Sequence, residues 1–515
     1  MFARVLSSCV LGALVFVIGG CDEAAPPPGA DATQSKAAVA VATAESLAHP
    51  PAKNPPEQAA SGLGTAVDNL PFQATGDKLA SIAWRTWVYT DTGPKRTRFG
   101  YLRAGAVVDR RGPVIHNDGC AGGWYRVNPR GFVCIGHGAT TDLQHPVVLA
   151  HGRRAERGQG LPYLYALSRS RPPHLYFKLP SEANMKQVEG GFRSNARRWL
   201  GWLHAHDLQD MLDVQTELPD HLNRPLTKPY GVKKPLRFAT HAGKASPDSG
   251  FAILSTYKKG ERFFGLTTEL DWIALDRTRL VEPSSFHGVA LDADESLPVA
   301  FVKNHSHPKY KRSEDGQLHA VGAYAMREGI KLTGEVMRVA GTFWETRDGH
   351  WVPQHGLRMV KARTKFPSVA TGTRKWIDVS IRRQTLVAYR GEHPTYVTLI
   401  SSGRGLLGDP EKVPSTILGT FMIHSKHVSS TMDGADDKSD SFNLRDVPFV
   451  QYFHKGYALH GTYWHDDFGR VRSHGCINLS PVDAAWLFEW TDPNVFPDWH
   501  STLNKERGTV VHIHP

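Results

Sequence analysis

The strongest constraint in this chain is its rhythm: short apolar–polar alternations that break every few residues at Gly, Pro or Asn-Asp. Residues 85–135, "RTWVYTDTGPKRTRFGYLRAGAVVDRRGPVIHNDGCAGGWYRVNPRGFVCI", contain no apolar stripe at helical spacing; each run fits a short strand that turns back at the next breaker. "KWIDVSIRRQTLVAYRG" (375–391) repeats the pattern as a hairpin, with Ile377, Val379 and Ile381 alternating before "RRQ". The 48 glycines and 34 prolines supply turns and cut short any long helix. A chain of 515 residues has material for about three cores at roughly 150 residues each. The expected class is therefore a mainly β multidomain protein.

The N-terminus, "MFARVLSSCVLGALVFVIGGC", has one Arg, an apolar run from Val10 to Ile18, then Gly19, Gly20 and Cys21. The run is short for a membrane span and has the dimensions of a signal h-region. Its end resembles a bacterial lipobox, so residues 1–21 are expected to be a lipoprotein signal and Cys21 the lipidated residue, anchoring an exported chain to a membrane. Residues 22–75 are Ala/Pro-rich and nearly free of large apolar side chains, an expected disordered tether. The net charge of +11 is spread thinly, with no dense Lys/Arg block of the kind that grips nucleic acid.

Export makes the five cysteines informative. Cys9 leaves with the signal and Cys21 takes lipid. Cys120 and Cys134, fourteen positions apart in strand-and-turn sequence, are expected to form a disulfide. Cys476 is left without a partner.

Residues 80–140 resemble a bacterial SH3-like β-barrel, through "FGYLRAGAVV" and "GWYRVNPRGFVCI"; such a module either binds cell-wall glycan or acts as a spacer. Residues 141–235 read as a mixed, partly helical connector, with Ser181 and Ser194 as N-caps. Within 236–370, "GERFFGLTTELDWIALDRTRLV" (260–281) aligns with "VAGTFWETRDGHWVPQHGLRMV" (339–360), matching Trp272 to Trp351, Arg279 to Arg358 and Val281 to Val360. Duplicated small β modules, also SH3-like, are the expectation. Residues 373–515 form a last region of strands with one clear helix, 481–491, capped by Ser480 and led by Pro481.

That last region contains "RSHGCINLS" (472–480), preceded by "YALHGTYW" with His460 and by His465. An imidazole beside a thiol can take its proton and produce a nucleophilic thiolate. Gly475 leaves room for substrate and lets backbone N–H groups face a developing oxyanion. Zinc held by His460, His474, Cys476 and His465 is the competing arrangement, but adjacent H-G-C is awkward for two ligands and no C-x-x-C or H-E-x-x-H supports it. No metal and no cofactor are expected.

His460-Gly461-Thr462 followed by Ser473-His474-Gly475-Cys476-Ile477-Asn478 resembles the L,D-transpeptidases, whose YkuD-type catalytic domain acts in bacterial peptidoglycan metabolism. Asn478 stands where many members carry Arg, and Asn is a known variant. The resemblance implies a β-sandwich-like catalytic domain with a short helix after the cysteine. It implies Cys476 as nucleophile and His460 as general base and acid. The Gly461 carbonyl would orient His460, the Gly475 and Cys476 amides would serve the oxyanion, and Ser473, His474 and Asn478 would shape the pocket. The implied reaction is acyl transfer from a stem tetrapeptide, with loss of the terminal D-Ala, to an amine acceptor, giving 3→3 crosslinks or attaching a protein to the wall. Two alternatives stay open: a wall-binding scaffold with a weak catalytic domain, and an L,D-carboxypeptidase or endopeptidase in which water accepts the acyl group.

Overall fold

The computed structural model describes residues 76–158, 160–189, 191–232, 241–303, 305–434 and 442–515. The signal, the tether and Cys21 lie outside the described residues. Strands dominate, and four α-helices are present among the described residues.

The C-terminal region is organised around a six-stranded sheet, in the order Val289–Ala290, His393–Leu399, Thr385–Arg390, Lys375–Ser380, Val510–His514, Gly419–Met422. The hairpin closes at Ser380↔Thr385, with Gln384 at φ 52. Trp376 to Ser380 are all buried, although their side chains alternate across the sheet. The reason is that both faces are covered. Ile377, Val379, Leu386, Val511 and Ile513 pack into one core with the helix Pro481–Trp490. Trp376, Val387, Tyr389 and Val397 pack on the other side against Phe286, Val299 and Phe301 of the preceding segment. The helix is held by Ser480, whose Oγ accepts from the Asp483 amide at 3.1 Å. The buried Asp483 carboxylate in turn accepts from Tyr396 Oη (2.7 Å), Thr398 Oγ1 and the Gly288 amide (2.8 Å), tying helix, sheet and linker together.

Residues 78–140 form seven short strands, and Cys120 is joined to Cys134 across them. This unit is not separate from the C-terminal region. Leu79, Val88, Leu102, Val127 and Val133 belong to the same core as Ile377 and Phe488. The strand Arg98–Leu102 pairs with Ser501–Leu503, and Gly100 is what allows it, since a Cβ there would lie 2.1 Å from the Ser501 carbonyl. Arg103 then donates to the buried Asp446 at 2.7 Å, and Asp446 also accepts from Ser429 and Thr268, both at 2.6 Å.

The middle of the chain divides differently from the expected 141–235 and 236–370. The strand Leu164–Ser168 pairs with Gly250–Lys259 on one side and Thr278–Leu280 on the other, so the connector and the first aligned segment share one sheet. Thr342–Thr346, Trp351–Pro353 and Leu357–Val360 lie in a different, seven-stranded sheet. The aligned segments thus share a strand–turn–Trp-strand pattern but are not a pair of like modules. Trp272 and Trp351 are both buried. Ser181 caps Glu182–Val188 with a reciprocal bond to Asn184, whereas Ser194 is no cap. The next helix starts at Phe192 behind Gly191 (φ 69), because burying Phe192 draws the first turn earlier and Ser194 Oγ bonds back to the Gly191 carbonyl at 2.9 Å.

Candidate active site

The long strand Phe442–His454 turns at Lys455 (φ 44) and Gly456 into the strand Tyr457–Gly461. That strand pairs in parallel with Ile477–Leu479, in the register Leu459↔Ile477 and His460↔Asn478. Leu459, Ile477 and Leu479 enter the core shared with the helix Pro481–Trp490. The alternate positions, Ala458 and Cys476, pack toward a second cluster that contains Tyr165, Tyr463 and Trp272. Strand alternation therefore puts His460 and Asn478 on one face, and Cys476, one residue ahead of the second strand, packs into the same cluster as Ala458.

His460 is buried, and its Nδ1 lies 3.0 Å from the Gly461 carbonyl. A carbonyl can only accept, so Nδ1 carries the proton and Nε2 keeps a free lone pair. Burial holds this imidazole down at about 4, with the Gly461 bond opposing. It is neutral at physiological pH, the state a base needs. Burial also pushes the Cys476 thiol up to about 11. Its Sγ donates to the Gly456 carbonyl at 3.6 Å rather than to His460. The resting site is thus a neutral thiol and a neutral imidazole, not a preformed ion pair. Tyr452 and Tyr457 stand close to the sulfur, and its proximity helps to raise both phenols, burial being the larger cause.

The loop before Cys476 is locked from three sides. Ser473 Oγ donates to the Cys476 carbonyl at 2.5 Å and accepts from the Gly475 amide at 3.0 Å. Thr416 Oγ1 donates to the Gly475 carbonyl at 2.8 Å. The segment 401–404 runs alongside, exchanging backbone bonds with Asn478 and Ser473. Gly475 sits at φ +139, and a Cβ would lie 2.8 Å from the Tyr457 ring. Both facts require glycine. Because Ser473 takes the Gly475 N–H, of the two expected oxyanion donors only the Cys476 amide is left untouched by this serine.

His474 is exposed and accepts from Arg404 Nη2 at 2.8 Å, on the outer side of the loop. His465 has a different place from the one a metal cluster would need: its Nε2 faces the Asn478 side-chain amide at 2.8 Å, and its Nδ1 accepts from the Asp467 amide at 3.2 Å. Burial holds His465 at about 4. The buried Asn478 is thereby fixed beside His460 by the loop that connects the two strands. Thr416, Arg404 and the His465–Asn478 contact were not singled out from sequence. Nothing local in "PSTILGTFMI" (414–423) marks Thr416 as the residue that reaches Gly475.

Residues 374–513 match the family model of the YkuD L,D-transpeptidase catalytic domain. A curated relative, "Putative L,D-transpeptidase YciB" of Bacillus subtilis (strain 168), is 28% identical over 124 residues, covering 22% of this chain and 59% of the relative. The chain therefore spans less than two thirds of that relative's length. Among solved structures, the catalytic domain of the E. faecium L,D-transpeptidase is 23% identical, covering 28% of this chain and 98% of that one, with TM-score 0.21. L,D-transpeptidase 3 from Mycobacterium tuberculosis is 20% identical, covering 36% and 79%, with TM-score 0.22.

Proposed function

We propose that this chain is a peptidoglycan L,D-transpeptidase working through Cys476. The observation that carries the reading is His460 paired in parallel register with Asn478, with Cys476 directly ahead of that second strand, inside the region that matches the catalytic-domain family. As Cys476 Sγ bonds to the carbonyl carbon of the third stem residue, its proton passes to His460 Nε2. His460, kept in register by Gly461, returns that proton to the amine of the departing D-Ala. The thioester is then attacked by an amine; the amine gives up its proton to His460 Nε2, the C–S bond breaks, and His460 passes that proton to the departing Cys476 Sγ, restoring the neutral pair. The Cys476 amide supports the oxyanion. Ser473 and Thr416 hold the Gly475 turn, and Asn478 shapes the pocket beside the base. No step needs a metal or cofactor. The same reading takes the chain as exported and anchored through lipid on Cys21, with 80–140 as an SH3-like unit against the wall.

The test is muropeptide mass spectrometry on sacculi incubated with the wild type and with Cys476→Ala. The wild type alone should produce 3→3 crosslinked dimers and free D-Ala. Equal product profiles would refute the reading, and crosslink loss without 3→3 gain would assign water as the acceptor. Metabolic labelling with a radioactive fatty acid should mark the wild type and not Cys21→Ala.

A further inference from the structure

The loop between His460 and Cys476 has a second side that the acyl-transfer chemistry does not use. There, a cavity of about 360 Å³ opens between residues 466–470 and the seven-stranded sheet. Phe301, Leu399 and Phe468, all buried, form its apolar floor. Lys303, Arg358 and Arg470 line it as well. Arg358 is the position that the internal alignment pairs with Arg279, but its environment is different: Arg279 is exposed, while Arg358 is half-buried and lies over Gly469.

The charge in this cavity is unbalanced. Its two carboxylates are already engaged: Asp466 pairs with Arg327, a fourth lining cation, and accepts from Ser284, and Asp467 pairs with Arg472 outside the cavity at 3.4 Å. Among the described residues no carboxylate forms an ion pair with Lys303, Arg358 or Arg470. Arg358 donates to the Arg383 backbone carbonyl, which fixes the guanidinium without neutralising it. Burial and the neighbouring Arg470 both act against its charge. Gathering like charges over an apolar floor is unfavourable unless an anion completes the set, and a guanidinium pair is suited to a planar carboxylate.

We propose that this cavity binds a carboxylate-bearing peptide, its carboxylate on Arg358 and Arg470 and its apolar part against Met326, the exposed apolar side chain of the lining. Identifying that peptide as a wall stem rests on the transpeptidase reading, and the binding itself does not. Because the cavity and the His465–Asn478 contact share one loop, a peptide held here would occupy the far side of the segment that flanks the acylating cysteine. It would bring a second chain, rather than the acyl donor, to the enzyme.

The experiment is calorimetric titration of the full chain carrying Cys476→Ser, which stops transfer, with a synthetic acidic tetrapeptide. The same peptide with every carboxyl amidated, and inorganic phosphate, serve as comparison probes. Arg470 is exposed, so Arg470→Gln should leave the fold intact, and alkylation of Cys476 in the otherwise native chain should proceed at the native rate. Arg470→Gln should weaken tetrapeptide binding at least tenfold, Arg358→Gln/Arg470→Gln more, and the amidated peptide should bind as weakly to the native cavity. Tetrapeptide affinity unchanged in both variants would overturn the proposal. So would equal affinity for the amidated peptide, or displacement of the tetrapeptide by phosphate at similar concentration, which would make the cavity a general anion site. Equal muropeptide profiles for the wild type and Cys476→Ala would instead remove the transfer reaction and leave this binding result standing.

Discussion

The resting state of Cys476 can be read directly by titrating its reactivity in the free protein. With the thiol pushed up to about 11 and His460 held at about 4, proton transfer between them spans roughly seven decades. At about 1.4 kcal/mol per decade, the thiolate–imidazolium pair lies roughly 10 kcal/mol above the neutral pair before their mutual attraction is counted. At pH 7 about one Cys476 in 10⁴ is a thiolate, against about 3% for an ordinary thiol near 8.5. The more basic thiolate is intrinsically the better nucleophile, by roughly tenfold for this difference. The net expectation is alkylation by iodoacetamide roughly 20- to 30-fold slower than an unperturbed thiol at pH 7.

The pH dependence separates this arrangement from an ion pair. The alkylation rate should climb about tenfold per pH unit from 7 to 10, with no plateau at neutrality. His460→Ala should change that rate less than about threefold, since the neutral imidazole contributes little to the free thiolate. The same variant should lower acyl transfer by roughly 10²–10⁴, the usual worth of a positioned acid–base group. Mass-spectrometric rates at Cys476 over a pH series would check both. A plateau beginning near pH 6 to 7 and abolished by His460→Ala would mean a preformed ion pair, and would refute the neutral-pair reasoning.

Gly475→Ala should abolish transfer, because its Cβ meets the Tyr457 ring at 2.8 Å and φ is +139; muropeptide assays read the loss, and the far-UV spectrum should stay native. Asp446→Ala should destabilise the chain by about 3–5 kcal/mol in urea unfolding, since it strands the buried Arg103 charge. Cys120→Ser with Cys134→Ser should cost about 3 kcal/mol on the chain-entropy account of a loop this short. His460 and His500 are buried and His427 and His465 half-buried, and desolvation holds all four neutral, at about 3 to 4. The unfolded chain binds these protons below about pH 6.5 while the fold does not, so stability is full above that pH and falls as pH drops. Near pH 5 the four together should give a slope of about 5 kcal/mol per pH unit, measurable as urea midpoints over a pH series.

What could be read from the sequence follows the distance over which each residue acts. Strand alternation, the Ser480–Pro481 helix start and the Cys120–Cys134 spacing are local, and the chain folds accordingly at each. Cys476 and His460 were legible because two strands in parallel register bring a short motif pair together. Ser473, by contrast, was placed in the pocket wall when it in fact takes the Gly475 amide, a bond of two residues' reach that depends on the turn's φ angles. Thr416 and Arg404 act from about 60 to 70 residues away, and His465 engages Asn478 through a loop whose path no periodicity encodes.

The expected start of the last region at 373 agrees with the family match at 374–513, whereas the division of the middle of the chain differs for a related physical reason. Composition marks where apolar residues gather but not which gatherings merge. Leu102 and Val127 share a core with Phe488, and the strand 98–102 is completed by 501–503, so the early strands and the last ones form a continuous unit. The six-stranded sheet is buried on both faces by chain from opposite sides in sequence, which is why its alternation carries no polar face. A cysteine motif at 476 thus sits in a site whose walls come from residues 165, 416 and 452 as much as from its own strand. The described strands within 78–140 and 164–281 share cores with the active face rather than acting as passive spacers, and core substitutions there should register in Cys476 reactivity.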